Sequence, residues 1–427
     1  MSKSQAAQSD GYKWVMLLAY VLMSLGIWSC WFAQAPLKHV YWEKVFHLSD
    51  TKANLLLSLP GLVAIFVSLI KGRWIDTYGV RKMMILSGIL TCIAFVPRPF
   101  MAANFTGQAI LTLIGGAGVC ILTATLPVMM YQWFGAEKAH TFIGIGAGSF
   151  FVGGGLGILG TAVLYGPPVT DVAAATLSAT HVLTIWSVVM AAVTVFWIVM
   201  AKDKVVAGGQ HLGAFGTEFK NVMGSASAWL IALYAIFIAG ITVCTMGFLP
   251  GQMIVLHGLK PQLAGTVVGL YSIAMGVGMA ILPSFAGAVG KKKLTVILCA
   301  ITTAVWIFYM AAKSMSIPEL LVFAVIFGFF FEAPWATGMA LMTSLPGVTP
   351  ANVGLSSGVY TMATNIGVFC LPLVLGGVMD AAGGPFKPSG NWAGMWAILI
   401  GYGIALVVMF AVKEKAAETA KVKAESA

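Results

Sequence analysis

The chain has 427 residues, 59% of them hydrophobic and 9% charged, which is more apolar surface than a soluble core can hide. Lipid is therefore the expected solvent, and a soluble enzyme or binding module is excluded. A net charge of +10 would suggest nucleic acid in a soluble protein, but the cations here sit in short connections between apolar runs, which marks topology rather than a nucleic-acid partner.

In chain order, residues 1–13 are polar and too short for a cleaved signal, so the first apolar run is expected to stay as an anchor. Runs long enough to cross a hydrocarbon core of roughly 30 Å fall near 14–35, 53–70, 82–102, 104–131, 140–164, 182–201, 228–256, 262–287, 294–312, 317–345, 352–379 and 392–412. An even count puts both termini on one side. Lys3, Lys13, Lys71, Arg73, Arg81, Lys82, Lys138, Lys202, Lys204, Lys220, Lys291, Lys292, Lys293 and the lysines after Val412 share that side, against Lys38, Lys44, Lys52, Arg98, Lys260, Lys313 and Lys387. The termini are expected to be cytoplasmic, in a multi-pass protein of the plasma (inner) membrane. The longest polar connection, 202–227, divides a first six-helix half (1–201) from a second (228–427) with a short tail. The halves echo each other at a spacing of about 210 residues: Gly144 and Gly148 answer Gly354 and Gly358, and the run from Gly79 to Lys82 answers that from Gly290 to Lys293. Duplication over twelve spans is how many secondary transporters are built.

Between the second and third runs lies Gly72-Arg73-Trp74-Ile75-Asp76-Thr77-Tyr78-Gly79-Val80-Arg81-Lys82. Its glycines allow a sharp turn, and Asp76 can pair with Arg73, Arg81 and Lys82 at a helix end. The pattern Gly-x-x-x-Asp-x-x-Gly-x-Arg-Lys at this position resembles the signature loop of the major facilitator superfamily of membrane transporters. The resemblance implies an all-α fold of twelve transmembrane helices in two pseudo-symmetric six-helix bundles, alternating access to a central site, a monomer, and a cytoplasmic gate formed by Gly72, Arg73, Asp76, Gly79, Arg81 and Lys82. The second copy lacks an acid where Asp76 would fall, so the latch is expected to be asymmetric.

Two further stretches, Arg98-Pro99-Phe100 with Asn104-Phe105 and the run from Trp133 to Ala139, and the run from Leu345 to Gly354 followed by Asn365-Ile366-Gly367 and Asp380, are loosely similar to the cyanate- and nitrate-type permease branch. Nitrate permeases grip their anion with arginines in central helices, and no Arg or Lys lies well inside those segments here. Proton-coupled exporters carry a Gly-Pro pair in the fifth helix, where this chain reads Gly153-Gly154-Gly155-Leu156-Gly157. The glycines of that run are not a nucleotide loop, since no Lys-Ser/Thr follows; at these spacings they let helices pack closely and slide.

Glu332 is the most informative residue. It lies midway along an apolar run, where an acid costs about 2.5–3.5 kcal/mol, so it must be protonated, paired or facing water. It can serve as a proton carrier or as counter-ion to a cationic substrate; the bland reading is a hydrogen-bonded packing residue. Pro334 breaks the helix ladder beside it. By the family's layout Trp28, Trp31, Gln34, Tyr271, Ser272, Trp335, Tyr360, Thr364 and Asn365 line the cavity and are candidate substrate contacts. An aromatic pocket with one carboxylate suits a cationic or zwitterionic ligand, although packing is the commoner role of any single Trp or Tyr. Arg98, at the outer end of the third run, is expected to snorkel, with an outer-gate role or a pairing with Asp380 as the alternative.

Six scattered cysteines and six histidines give no disulfide, zinc or helix-spaced metal pattern, His140, His181 and His257 falling at loop edges. No ATP-binding motif, paired acids or nucleophile motif marks a pump or an enzyme, and no cofactor is called for. The reading is a secondary transporter for a small organic solute, proton-coupled through Glu332. An efflux pump, an anion exchanger or a non-transporting sensor on the same fold are the alternatives.

Overall fold

A computed structural model describes residues 3–68, 74–75, 78–167, 171–202, 215–312, 314–345, 348 and 353–413, with the backbone alone for 3–10, 136–141, 215–216, 218 and 353–354. Twelve helices among them are long and apolar enough to cross a membrane: α1 (Gly11–Glu43), α2 (Asp50–Val67), α3 (Val80–Met101), α4 (Phe105–Gly135), α5 (Phe142–Tyr165), α6 (Val172–Met200), α7 (Ala226–His257), α8 (Pro261–Val289), α9 (Lys291–Ala311), α10 (Ile317–Met342), α11 (Leu355–Ala381) and α12 (Pro388–Ala411). The described residues contain no strand. The expected spans are all present, and two differ in extent for local reasons. α1 continues through a wider π-type turn over Lys38–Glu43, residues expected in a connection. α6 begins ten residues early because Asp171 caps it, its side chain accepting from Ala174 N at 2.8 Å, so His181 lies within the helix and not at its edge. A short helix, Phe215–Met223, lies inside the connection between the halves and packs on α7 and α11.

The duplication is visible in backbone detail. Gly79 (φ 80°) opens α3 and Gly290 (φ 92°) opens α9, positions where a side chain would be strained. Just inside each helix a cation reaches the carbonyl end of its half's last helix: Arg81 Nη2 donates to Ile198 O at 3.4 Å, and Lys292 Nζ donates to Phe410 O at 3.0 Å and Val412 O at 2.5 Å. Such carbonyls carry the negative end of the helix dipole and lack intrahelical donors.

The halves meet along two seams, α2 on α11 and α5 on α8. Small residues set the approach. A Cβ on Gly148 would lie 2.5 Å from Gly276 O, and one on Gly155 2.6 Å from Gly269 O, so backbone faces backbone in the α5 and α8 seam. Gly148→Ala is expected to cost about 1–3 kcal/mol by overpacking and to slow transport. Gly377→Ala, where a Cβ meets open space, keeps both; thermal unfolding and uptake rate of the two variants check this.

Candidate functional site

α10 is two helices end to end, Ile317–Phe331 and Ala333–Met342, with Glu332 at the junction. The sequence dictates the break. Pro334 has no N–H, so the Phe330 carbonyl four residues back loses its helical partner. Thr302 of α9 stands in for it in part, its one hydroxyl proton shared between Leu298 O at 2.8 Å and Phe330 O at 3.2 Å. Tyr234 OH of α7 donates to Pro334 O at 2.9 Å and Tyr360 OH of α11 to Trp335 O at 2.8 Å. Hydroxyls from three helices thus hold the carbonyls around the break, as an interrupted membrane helix requires.

Glu332 is 3% exposed, and among the described residues no cation pairs with it. Its Oε2 lies 2.6 Å from Thr242 Oγ1, which is itself 3.0 Å from Ile238 O. A hydroxyl has one proton to donate. With Glu332 protonated, its O–H donates to Thr242 and Thr242 donates to Ile238, and both contacts are satisfied; with Glu332 ionised, Thr242 must give up one of them. Tyr234, Tyr271, Tyr360 and Tyr402 stand within electrostatic reach of the carboxyl group. The Tyr271 and Tyr402 hydroxyls are buried with no partner among the described residues, which leaves polar capacity beside Glu332 for a guest or for water.

The candidate contacts fall into one group per half. In the first, Trp28 stacks on Phe150 with ring centroids 5.2 Å apart, Trp31 Nε1 donates to Leu57 O at 3.1 Å, and Gln34 is buried with neither amide atom partnered among the described residues. In the second, Tyr271 stacks on Phe327, Trp335 Nε1 donates to Thr364 Oγ1 at 3.0 Å, and Tyr360 packs edge-on against Trp335. Asn365 lies in the α2 and α11 seam, its Nδ2 donating to Thr361 O at 2.8 Å and Ser68 Oγ at 3.2 Å. Of the gate motif, Gly72, Arg73 and Asp76 lie outside the described residues; Gly79 and Arg81 stand as given above, and Lys82 is exposed.

Arg98 corrects the expectation of a snorkelling side chain. It is 2% exposed and turned into the first half, with Nη2 donating to Thr112 Oγ1 at 2.7 Å and its guanidinium 4.5 Å from the Phe95 ring centroid. The short 3₁₀ turn Arg98–Met101, started by flanking prolines, swings it inward. Nor does it pair with Asp380, which is engaged by α2: Asp50 N, Thr51 N and Thr51 Oγ1 donate to its carboxylate at 2.9, 3.1 and 2.6 Å. Asp380 thereby caps a helix of the other half.

Beside that cap lies a buried ionic cluster absent from the sequence reading. Lys38 Nζ is 2.5 Å from Asp50 Oδ1 and 3.2 Å from Glu43 Oε1, His39 Nδ1 is 3.0 Å from Glu43 Oε2, and Asn54 Nδ2 donates to Asp50 Oδ2 at 2.7 Å and to Pro372 O of α11 at 3.1 Å. With Phe386 over the His39 ring, the contacts close the molecule at the face opposite the termini. Asp50 and Asn54 at helical i,i+4 spacing were the available signal.

The sequence profile of the Major Facilitator Superfamily matches residues 16–259 and 231–427. The chain therefore belongs to this superfamily of transporters, each match covering about one of the halves described above. No curated protein matches the sequence significantly. Among solved structures it is similar to a bacterial homologue of the human lysosomal transporter Spinster, inward-facing and unoccupied (14% identity, 97% of each chain, TM-score 0.69). It is also similar to the nucleoside transporter NupG (16%, 93% of this chain and 99% of that one, 0.66) and to a variant of the E. coli fucose:proton symporter FucP (13%, 92% and 98%, 0.63). At these identities the likeness establishes the fold.

Proposed function

We propose that the protein is a secondary transporter that moves a small organic solute by alternating access, with Glu332 carrying the coupled proton. The observation that supports this reading is Glu332 itself: a buried carboxyl group without a cation, at a helix break, on a hydrogen-bond chain that a proton completes. Trp28, Trp31 and Gln34 from the first half and Tyr271, Trp335, Tyr360 and Asn365 from the second contact the solute, the unpartnered Gln34 amide and Tyr271 hydroxyl supplying polar contacts. Residues 1–201 and 228–427 rock about the two seams, with 202–227 joining them, and the gate motif from Gly72 to Lys82 steadies the outward-facing state. The excess of lysine and arginine on the terminal side supports cytoplasmic termini in the inner membrane, so the closed face is the outer one. The named neighbours, a fucose:proton symporter and a nucleoside transporter, support a neutral polar solute as readily as a charged one. The protein acts as a monomer and performs no covalent chemistry.

The test is uptake by purified protein in proteoliposomes across sugars, nucleosides, carboxylates, amino acids and quaternary amines, with and without an imposed pH gradient. Accumulation of one class that rises with an acidic exterior supports the reading; binding without flux would make the protein a sensor, and product formation an enzyme.

A further inference from the structure

The cluster at the closed face holds two acids, Glu43 and Asp50, against one permanent cation, Lys38, and an imidazole, His39, whose Nδ1 lies 3.0 Å from Glu43 Oε2. Lys38 supplies one ammonium group to two carboxylates, Glu43 and Asp50, and all three side chains are at most 5% exposed. The two carboxyl groups converge on that one nitrogen, and Glu43 Oε1, although 3.2 Å from Lys38 Nζ, makes no well-directed hydrogen bond. With His39 neutral and donating from Nδ1 to Glu43, two ionised carboxylates on one ammonium leave a net negative charge in a dry site, and a proton held by the carboxyl pair removes it, as in other carboxyl pairs forced together.

We propose that this junction is a second proton-binding site, in which Glu43 and Asp50 share one proton while the outer face is shut and release it to water when that face opens. The groups facing the pair come from four helices. From α1 they are Lys38, His39 and the exposed Lys44; from α2, Asn54; from α7, Cys244, with Gly251 against the His39 ring; from α11, Asp380 and the Pro372 carbonyl. Asp380 adds no uncompensated charge, since two backbone N–H groups and a hydroxyl of α2 already hold it. Both carboxylates and Lys38 belong to the first half, whereas Cys244, Gly251, Pro372, Asp380 and Phe386 belong to the second. Parting the halves at this face therefore strips the cover from the cluster and wets it, after which both acids ionise. By linkage, a proton bound only in the shut state favours the shut state, so external acid closes this face. The site is separate from Glu332, in sequence and in what it controls.

The experiment measures the distance across the junction. Spin labels go on Lys52→Cys and Lys387→Cys in the full chain in nanodiscs, with the exposed Cys370 changed to Ser, over about pH 5 to 9, the span in which buried carboxyl groups titrate. The chain with native cluster residues is expected to shift from short to long distances as pH rises. Glu43→Gln and Asp50→Asn, each leaving one acid for one ammonium, are expected to stay short throughout; Asp50→Glu keeps the shift. A pH-independent distance in the native cluster overturns the proposal. So does a full shift in both Glu43→Gln and Asp50→Asn, or loss of the shift in Asp50→Glu, which would assign the effect to packing. A shift abolished by His39→Gln alone overturns it too, by placing the proton on His39.

Discussion

Proteoliposomes carrying Glu332→Gln are expected to equilibrate substrate across the membrane without concentrating it. Glutamine fills the same space and its amide can still bond Thr242, but it cannot release a proton. With one proton moved per solute, each pH unit of gradient stores about 1.4 kcal/mol and supports about tenfold accumulation; the variant falls to a ratio near one at every gradient. Exchange of labelled for unlabelled solute survives, because the loaded carrier still rocks. The sign is fixed by direction: acid outside drives uptake by the native chain and does nothing for the variant. If the variant instead loses binding of a cationic solute altogether, Glu332 is its counter-ion. If accumulation is unchanged, Glu332 has no coupling role.

Lys38→Met is expected to be the most destabilising single change at the closed face. It strands Glu43 and Asp50 in a site that excludes water, and breaking one partner of a buried ion pair costs about 3–5 kcal/mol. Part of that loss appears as a lower unfolding temperature and part as opening of the face, since wetting relieves the stranded charge. Adding Glu43→Gln and Asp50→Asn to Lys38→Met removes the stranded acids, and most of the stability is expected to return. A triple variant as unstable as the single one would mean that the Lys38 chain matters through packing and not through its charge.

The fold was legible because each span satisfies its own condition, about twenty apolar residues between polar ends, without reference to its neighbours. Glu332 and Pro334 were legible for the same reason, as exceptions within one run. The ionic cluster was not. Lys38, Glu43 and Asp50 look like an ordinary polar connection until Asp380 and Pro372, more than three hundred residues further along, close over the end of α2. Arg98 misled in the opposite sense: a cation between prolines at the end of a run has the pattern of an interfacial residue, and only the turn that follows aims it at Thr112. Asn365 was marked as a cavity-lining candidate, and its amide is held by Thr361 and, across the seam, Ser68. Thr242, with no charge to set it apart in an apolar helix, went unnoticed.

Arg81 waits on α3 for a carbonyl that emerges 117 residues later, and Lys292 on α9 for one that emerges 120 residues later. Neither of these bonds can form until the final helix of its half has been synthesised, and each of them lies within one half. A chain severed between Lys202 and Phe215 keeps both fasteners whole, so two separately translated fragments retain what each needs to close before they find one another in the bilayer.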